Sequence, residues 1–250
     1  MSLNRRDILK VAGAVGVVGI TPSLARAQVA DIEKKSVSIA VGGQALVYYL
    51  PLSIADLKGF FKEEGVDVKI VDFAGGSKAL QAVVGGSADV CSGAFEHTIS
   101  LQNRRQNYSA FVMQGRAPMI TLAVSKKNMP DYKSPADLKG KKIGVTAPGS
   151  STNMLVNFFL AQHDLKATDV SIIGVGAGTG AVNAIRSGQV DAISNVDPVI
   201  STLEHEGLLD VIVDTRKLDD SEAIFGGPMP SSCLYASQKF IDENPNTCQA

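Results

Sequence analysis

The sequence predicts an α/β protein of two similar lobes, each a mostly parallel sheet flanked by helices, joined by two crossover strands. Three observations lead there. Residues 67–90, DVKIVDFAGGSKALQAVVGGSADV, have a second copy at 169–192, DVSIIGVGAGTGAVNAIRSGQVDA. Eight of the 24 aligned positions are identical, among them Asp67/Asp169, Gly76/Gly178, Gly86/Gly188 and Asp89/Asp191. One repeat of this size marks a duplicated lobe, since a solenoid needs three or more units. Both halves also alternate short apolar strands with helix-length runs, the pattern of a parallel sheet covered by helices. Finally, ITLAVSKKN (120–128) and SSCLYASQKF (231–240) read as strands that pass from one lobe to the other and back.

The elements follow in chain order. MSLNRRDILK carries Arg5, Arg6 and Lys10, VAGAVGVVGI is a short apolar core, and Ala25-Arg26-Ala27 is a small-x-small cleavage signature. Residues 1–27 are therefore expected to be an export signal peptide removed after Ala27, which places the mature protein in the periplasm. The apolar run is shorter than the roughly 20 residues a bilayer requires. The paired arginines of NRRDILK point to the twin-arginine route. Without residues 1–27 the net charge is −4, mildly acidic, and gives no argument for nucleic acid as a partner.

SVSIAVGGQ (36–44) and KKIGVTAPGSST (141–152) are strands ending in small-residue loops, followed by helices at 51–58 and 153–162. The lobes are expected at 28–124 and 125–230, with 231–250 returning to the first. A helix is expected from Asp242 with Pro245 in its first turn. Its abrupt stop at Ala250 suggests that a C-terminal part is missing. Cys91, Cys233 and Cys248 form no Cys-x-x-Cys pair or Cys/His cluster, so no metal site is indicated.

The chemistry is expected at the strand ends, where right-handed crossovers put the loops and where ligands of open α/β sheets bind. Gly75-Gly76-Ser77 is not a nucleotide loop: GxxxxGK[ST] and GxGxxG are both absent. Glycines instead let a ligand approach the backbone, and the unsatisfied N–H groups and dipole of the following helix favour an anion. The alternative is that Ser77 only caps its own helix. Three such turns (74–77, 149–152 and 176–180) favour at least one ligand contact. Other candidates at strand ends are Gln44, Tyr48, Tyr49, Phe95, Glu96, His97, Arg116, Asn195 and Asp197, with core packing as the alternative for the two tyrosines. Aromatic walls with a few polar groups suit a small organic solute, and Arg116 is a candidate counter-charge for a sulfonate or carboxylate. No Gly-x-Ser-x-Gly elbow and no cofactor motif is present.

YLPLSIADLKGFFKEEGVDV, FAGGSKALQAVVGGSADV, SPADLKGKKIGVTAPGSSTN and Asn195-Val196-Asp197-Pro198 together resemble the substrate-binding proteins of ABC transporters of the nitrate/sulfonate/taurine type, whose fold is shared by the binding proteins for thiamine-pyrimidine precursors. The resemblance covers 36–250. It implies the two-lobed periplasmic-binding-protein fold of the second type, a monomer without a cofactor, a solute in the interlobe cleft and a membrane permease as partner. It also implies that Gly76-Ser77 and Ser150-Ser151-Thr152 hold the polar end of the solute from opposite lobes, with 93–97 and Asp197 across from them. Whether Ser150–Thr152 or Gly178–Thr179 completes the clamp stays open. An enzyme on the same fold, desulfinase-like, would need Cys91 as a thiolate beside His97.

Overall fold

The computed structural model describes residues 31–250. The export signal expected at 1–27 lies outside the described residues.

Both halves build a similar succession of strands and helices, preceded in the second by a crossover strand. The first contains β1 (Ser36–Val41), a turn at Val47–Tyr49, α1 (Leu50–Lys58), α2 (Phe60–Glu63), β2 (Asp67–Asp72), α3 (Gly76–Val84), β3 (Val90–Ala94), α4 (Glu96–Asn103) and β4 (Tyr108–Met113). The second contains β5 (Thr121–Ser125), β6 (Lys142–Val145), α5 (Ser151–Gln162), β7 (Ser171–Gly174), α6 (Thr179–Ser187), β8 (Ala192–Asn195), α7 (Val199–His205), β9 (Leu209–Asp214) and α8 (Leu218–Phe225). β10 (Ser232–Ser237), α9 (Gln238–Glu243) and α10 (Pro245–Gln249) follow.

The sheet orders are β2-β1-β3-β10-β4 and β7-β6-β8-β5-β9. The first three strands of each are parallel, while β10 and β5 run antiparallel to both neighbours. Each sheet thus takes its fourth-position strand from the crossover. β5 already belongs to the second sheet, so the passage between lobes falls at 114–120, a few residues before the expected boundary at 124. The two crossing segments run side by side: Ser231 N–H donates to Gly115 O at 3.0 Å, and Gln114 N–H to Ser232 O at 2.9 Å.

The repeat becomes β2–α3–β3 and β7–α6–β8, and its identical residues do identical work. Asp89 accepts from the Ser38 N–H of β1 at 2.9 Å, and Asp191 accepts from the Lys142 N–H of β6 at 2.9 Å. Each carboxylate pins the strand that follows it to its parallel neighbour, β3 to β1 and β8 to β6. Gly86 and Gly188, at φ 76° and 78°, turn the chain out of α3 and α6 in the left-handed region that only glycine enters cheaply.

One apolar cluster runs through both lobes, from Val37, Ile39 and Val90 to Leu122, Ile143 and Leu155; two smaller ones pack α6 and α7 in the second lobe and α3 in the first. A cavity of about 490 Å³ opens on the first sheet against Val37, Ile39, Val68, Val90 and Leu234. The helix expected from Asp242 is instead two, broken at Asn244 (φ −135°, ψ 52°). The residue before a proline is kept out of the helical region, so Pro245 starts a new helix rather than joining the old one. Cys91 and Cys233 are free thiols buried on β3 and β10. No described helix is long and apolar enough to cross a membrane.

Candidate functional site

The two lobes meet where α3 and α5 point their N-termini at each other. A turn packed on α3's first residues makes this possible. A Cβ on Gly42 would stand 2.2 Å from Gly76 N, so glycine is needed for β1's terminal loop to lie against the start of α3. A Cβ on Gly75 would likewise come within 2.9 Å of the Ala147 Cβ on the facing lobe. Backbone therefore touches backbone across the junction.

The central contact is between Ser77 and Ser150. The Ser77 N–H donates to Ser150 Oγ at 3.1 Å, and Ser150 Oγ donates to Ser77 Oγ at 3.4 Å. Ser150 occupies the N-cap position of α5, but its side chain makes no bond to that helix. It caps α3 on the other lobe instead, so an N–H that an isolated helix end would leave orphaned is satisfied from across the cleft. A second link joins Val47 N–H to Asp197 O at 3.1 Å.

Between these contacts lies a narrow cavity of about 10 Å³, lined by Tyr48, Tyr49, Gly76, Ser151, Thr152 and Val196 among others. That is room for about one water. Ligand pockets are typically about 300–1,000 Å³, so admitting a solute requires the lobes to part.

Three buried polar atoms beside this cleft form no well-shaped hydrogen bond among the described residues: the Tyr48 hydroxyl, Glu96 Oε2 and His97 Nε2. Burial pushes the Glu96 carboxyl up to about 7, although its own backbone N–H pulls the other way. Burial lowers His97 to about 4, partly offset by the Gly149 backbone of the facing lobe. The imidazole is therefore neutral at neutral pH, with Nδ1 on the Tyr235 hydroxyl at 3.1 Å. Its Cε1 lies 3.2 Å from where a Gly76 Cβ would be. Burial, then the nearby Glu96, raises Tyr48 well above its ordinary value, and Ser151 is close enough to oppose that rise without forming a well-shaped bond.

The structure thus gathers Tyr48, Gly76, Ser77, Glu96, His97, Ser150, Ser151 and Thr152 at one junction. Ser77 faces Ser150, whereas Gly178 and Thr179 are exposed at the start of α6. The Thr152 hydroxyl is taken by Thr146, whose N–H donates to it at 3.1 Å. The Asn195 side chain is also occupied: it donates to Gly176 O at 3.1 Å and accepts from Val196 N–H at 3.0 Å. Asp197 accepts from Ser201 N–H at 2.9 Å and lies 3.6 Å from Arg216, so its carboxylate serves α7 and an ion-pair network while its carbonyl faces the other lobe. Phe95 is half-buried and packs in the first lobe's core. Gln44 is tied through its backbone N–H to Asp72 at 2.9 Å. Arg116 is exposed on the crossover between β4 and β5, away from the residues lining the cavity.

Tyr49, a strand-end candidate in the sequence, also lines the cavity, whereas sequence reasoning missed Gly42 as the packing partner of α3; the Gly-Gly that follows β1 was the signal. The thiolate that the desulfinase-like alternative needs is contradicted. Cys91 is fully buried, and burial pushes its thiol up to about 12, the reverse of an activated cysteine. Among the described residues no group of three or more His, Cys, Asp or Glu could hold a metal. The larger cavity on the first sheet is mostly apolar and contains none of these three polar atoms, so the junction is the better candidate.

Similar proteins agree with the architecture. A solved structure from Bordetella bronchiseptica RB50 is 71 % identical, with a TM-score of 0.87 over 88 % of this chain and 69 % of that one. The alkanesulfonate-binding protein SsuA from Xanthomonas axonopodis pv. citri, bound to MOPS, is 22 % identical with a TM-score of 0.67 over 88 % of this chain and 71 % of its own; at that identity it supports the fold, a two-lobed periplasmic-binding-protein fold. YtlA of Bacillus subtilis (strain 168), named as a binding protein, is 25 % identical over 80 % of this chain and 58 % of its own length. A Schizosaccharomyces pombe 4-amino-5-hydroxymethyl-2-methylpyrimidine phosphate synthase is 26 % identical over 59 % of this chain and 41 % of its own. The chain spans a little over half the length of the curated binding-protein relatives it matches. Two like sheets, exchanged crossover strands and the serine junction fall within or beside residues 47–250, which match the model described as "NMT1/THI5 like", and the chain belongs to that family.

Proposed function

We propose that this protein is the solute-binding component of an ABC-type importer, exported to the periplasm, which takes a small anionic or zwitterionic organic solute between its lobes and delivers it to a membrane permease. Sulfonate, nitrate, carboxylate and pyrimidine-like solutes are the classes considered. The observation that carries this reading is the junction of α3 and α5. Two helix N-termini converge there with serine hydroxyls, beside buried polar atoms without a well-shaped hydrogen bond, on lobes joined by two adjacent crossover segments.

The mechanism follows from the geometry. Parting the lobes removes Ser150 from the Ser77 N–H and leaves the first-turn donors of α3 available to an oxyanion. Closure on a solute replaces that contact with bonds from both lobes. The solute then shifts the open–closed equilibrium by its differential affinity for the closed form, and a permease can read the closed form.

Binding rather than catalysis is favoured because the one nucleophile proposed for the alternative, Cys91, is a buried neutral thiol. A thermal-shift screen of the mature chain against alkanesulfonates, nitrate, carboxylates and aminopyrimidines tests the reading. A binder at 100 times its Kd adds about 2.7 kcal/mol and raises Tm. Ser77→Ala is expected to weaken the response, because it removes one hydroxyl from the anion's surroundings. No response from any class, or a response untouched by Ser77→Ala, would overturn it.

A further inference from the structure

Glu96 opens α4 directly after β3. It is only 9 % exposed, and its Oε2 forms no well-shaped hydrogen bond among the described residues. No lysine or arginine pairs with it: the ion pairs among the described residues all lie elsewhere. The titratable groups close enough to interact with it are Tyr48 and Tyr49, on the turn after β1, and Cys233, on β10. Each is buried and held neutral. His97, the next residue along, is neutral too. The carboxyl therefore has no positive charge to answer it among the described residues.

Buried carboxylates are retained when something pairs with them, and an unmatched one carries a large desolvation cost. The start of α4 lies against the cleft: the ring of His97, the neighbour of Glu96, stands 3.2 Å from where a Cβ on Gly76 would be, and Gly76 lines the cavity with Tyr48, Ser151 and Thr152. The junction is thus bipolar. The N–H groups and hydroxyls at the starts of α3 and α5 are donors, suited to an anion. Glu96, at the start of α4, is an acceptor lacking a donor among the described residues.

We propose that the solute carries a hydrogen-bond-donating nitrogen, an amine or amino group, accepted by Glu96, so that Glu96 selects amino-bearing solutes over plain anions of the same length. This inference rests on the interlobe reading above and narrows its solute class. It separates two groups of solutes that the serine clamp alone treats alike.

The test is titration calorimetry of the mature chain with matched pairs: 2-aminoethanesulfonate against ethanesulfonate, and β-alanine against propionate. A charge-assisted hydrogen bond to a buried carboxylate is expected to favour the amino member by about tenfold or more. In Glu96→Gln the preference within each pair is expected to collapse. At about pH 7 the amino member is also expected to release protons on binding, because its ammonium ionises Glu96 while Tyr48, Tyr49, Cys233 and His97 stay neutral. Buffers of different ionisation enthalpy read that release. Should Glu96→Gln fail to fold, Glu96→Asp, which withdraws the carboxylate by one methylene, is expected to reduce the preference. Equal binding of both members to the wild type, or a preference that survives Glu96→Gln, overturns the role of Glu96 and leaves the cleft reading standing. Failure of every member to bind overturns both.

Discussion

Ser150→Ala tests whether the lobes are held together by a borrowed helix cap. The Ser150 hydroxyl is buried, and it accepts the Ser77 N–H at 3.1 Å from the opposite lobe. Losing an N-cap oxygen costs about 0.5–2 kcal/mol, and leaving a buried N–H without a partner costs about 1–3 kcal/mol. These are two descriptions of one loss, so about 1–2 kcal/mol is the working figure. The bond exists only when the lobes touch, so the loss acts on the closed form alone. It should move the open–closed ratio about 5- to 30-fold toward open. The helix that Ser150 precedes should hardly notice, because its own first turn gains nothing from the hydroxyl. Two measurements read the effect without added solute: the radius of gyration from small-angle scattering, and hydrogen exchange at the Ser77 amide. The expected result is a larger radius with faster Ser77 exchange, while the amides of Thr152 to Met154 keep their protection. Unchanged scattering with faster exchange in α5 would refute the reasoning, because Ser150 would then be capping its own helix.

Gly42→Ala forces a methyl to within 2.2 Å of Gly76 N, where only backbone can give way. Overpacking of this kind costs about 1–3 kcal/mol or more, so denaturant unfolding should show at least that loss, and a loss below about 0.5 kcal/mol would remove Gly42 from the junction. Glu96 and His97 predict opposed pH dependences. With its carboxyl raised from 4.5 to about 7, Glu96 costs stability as pH rises through that window, whereas His97, lowered from 6.5 to about 4, costs stability as pH falls through its own. Between about pH 4.5 and 6.5 the two slopes cancel in the wild type, so Tm should be flat there, rising with pH in Glu96→Gln and falling with pH in His97→Gln; parallel profiles in the two variants would refute the assignment.

Much of the scaffold was legible because it repeats. Asp89 and Asp191, Gly86 and Gly188 recur in sequence because each lobe needs the same strand tie and the same left-handed turn. The crossover strands were legible as 120–128 and 231–240, although their exchange between sheets begins earlier than the expected boundary. The break at Asn244 shows the limit of local rules: Pro245 suits a first turn, but the residue before it decides which helix's first turn it is. The site was less legible, since proximity to a strand end does not say where a side chain finds its partner. Asp197 and Asn195 stand at the expected loop, yet Ser201, Arg216, Gly176 and Val196 occupy their polar atoms.

The repeat also hides the point at which the lobes stop being equivalent. By sequence, Ser77 at the start of α3 corresponds to Thr179 at the start of α6, and a symmetric clamp would bring those two together. The structure brings Ser77 to Ser150 instead, at the start of α5, and leaves Thr179 exposed. α5 follows β6, whose counterpart in the first lobe is β1, and β1 leads to Tyr48 and Tyr49 rather than to a serine-capped helix. The helix ends that meet are therefore from non-equivalent positions of the repeat, and each lobe offers what the other lacks. The first contributes the aromatic wall and the buried Glu96 and His97; the second contributes the hydroxyl that completes α3. A single charge change should consequently act differently on the two sides of the junction. Loss of Glu96 bears on which solute is chosen, whereas loss of the Ser150 hydroxyl bears on how readily the lobes close.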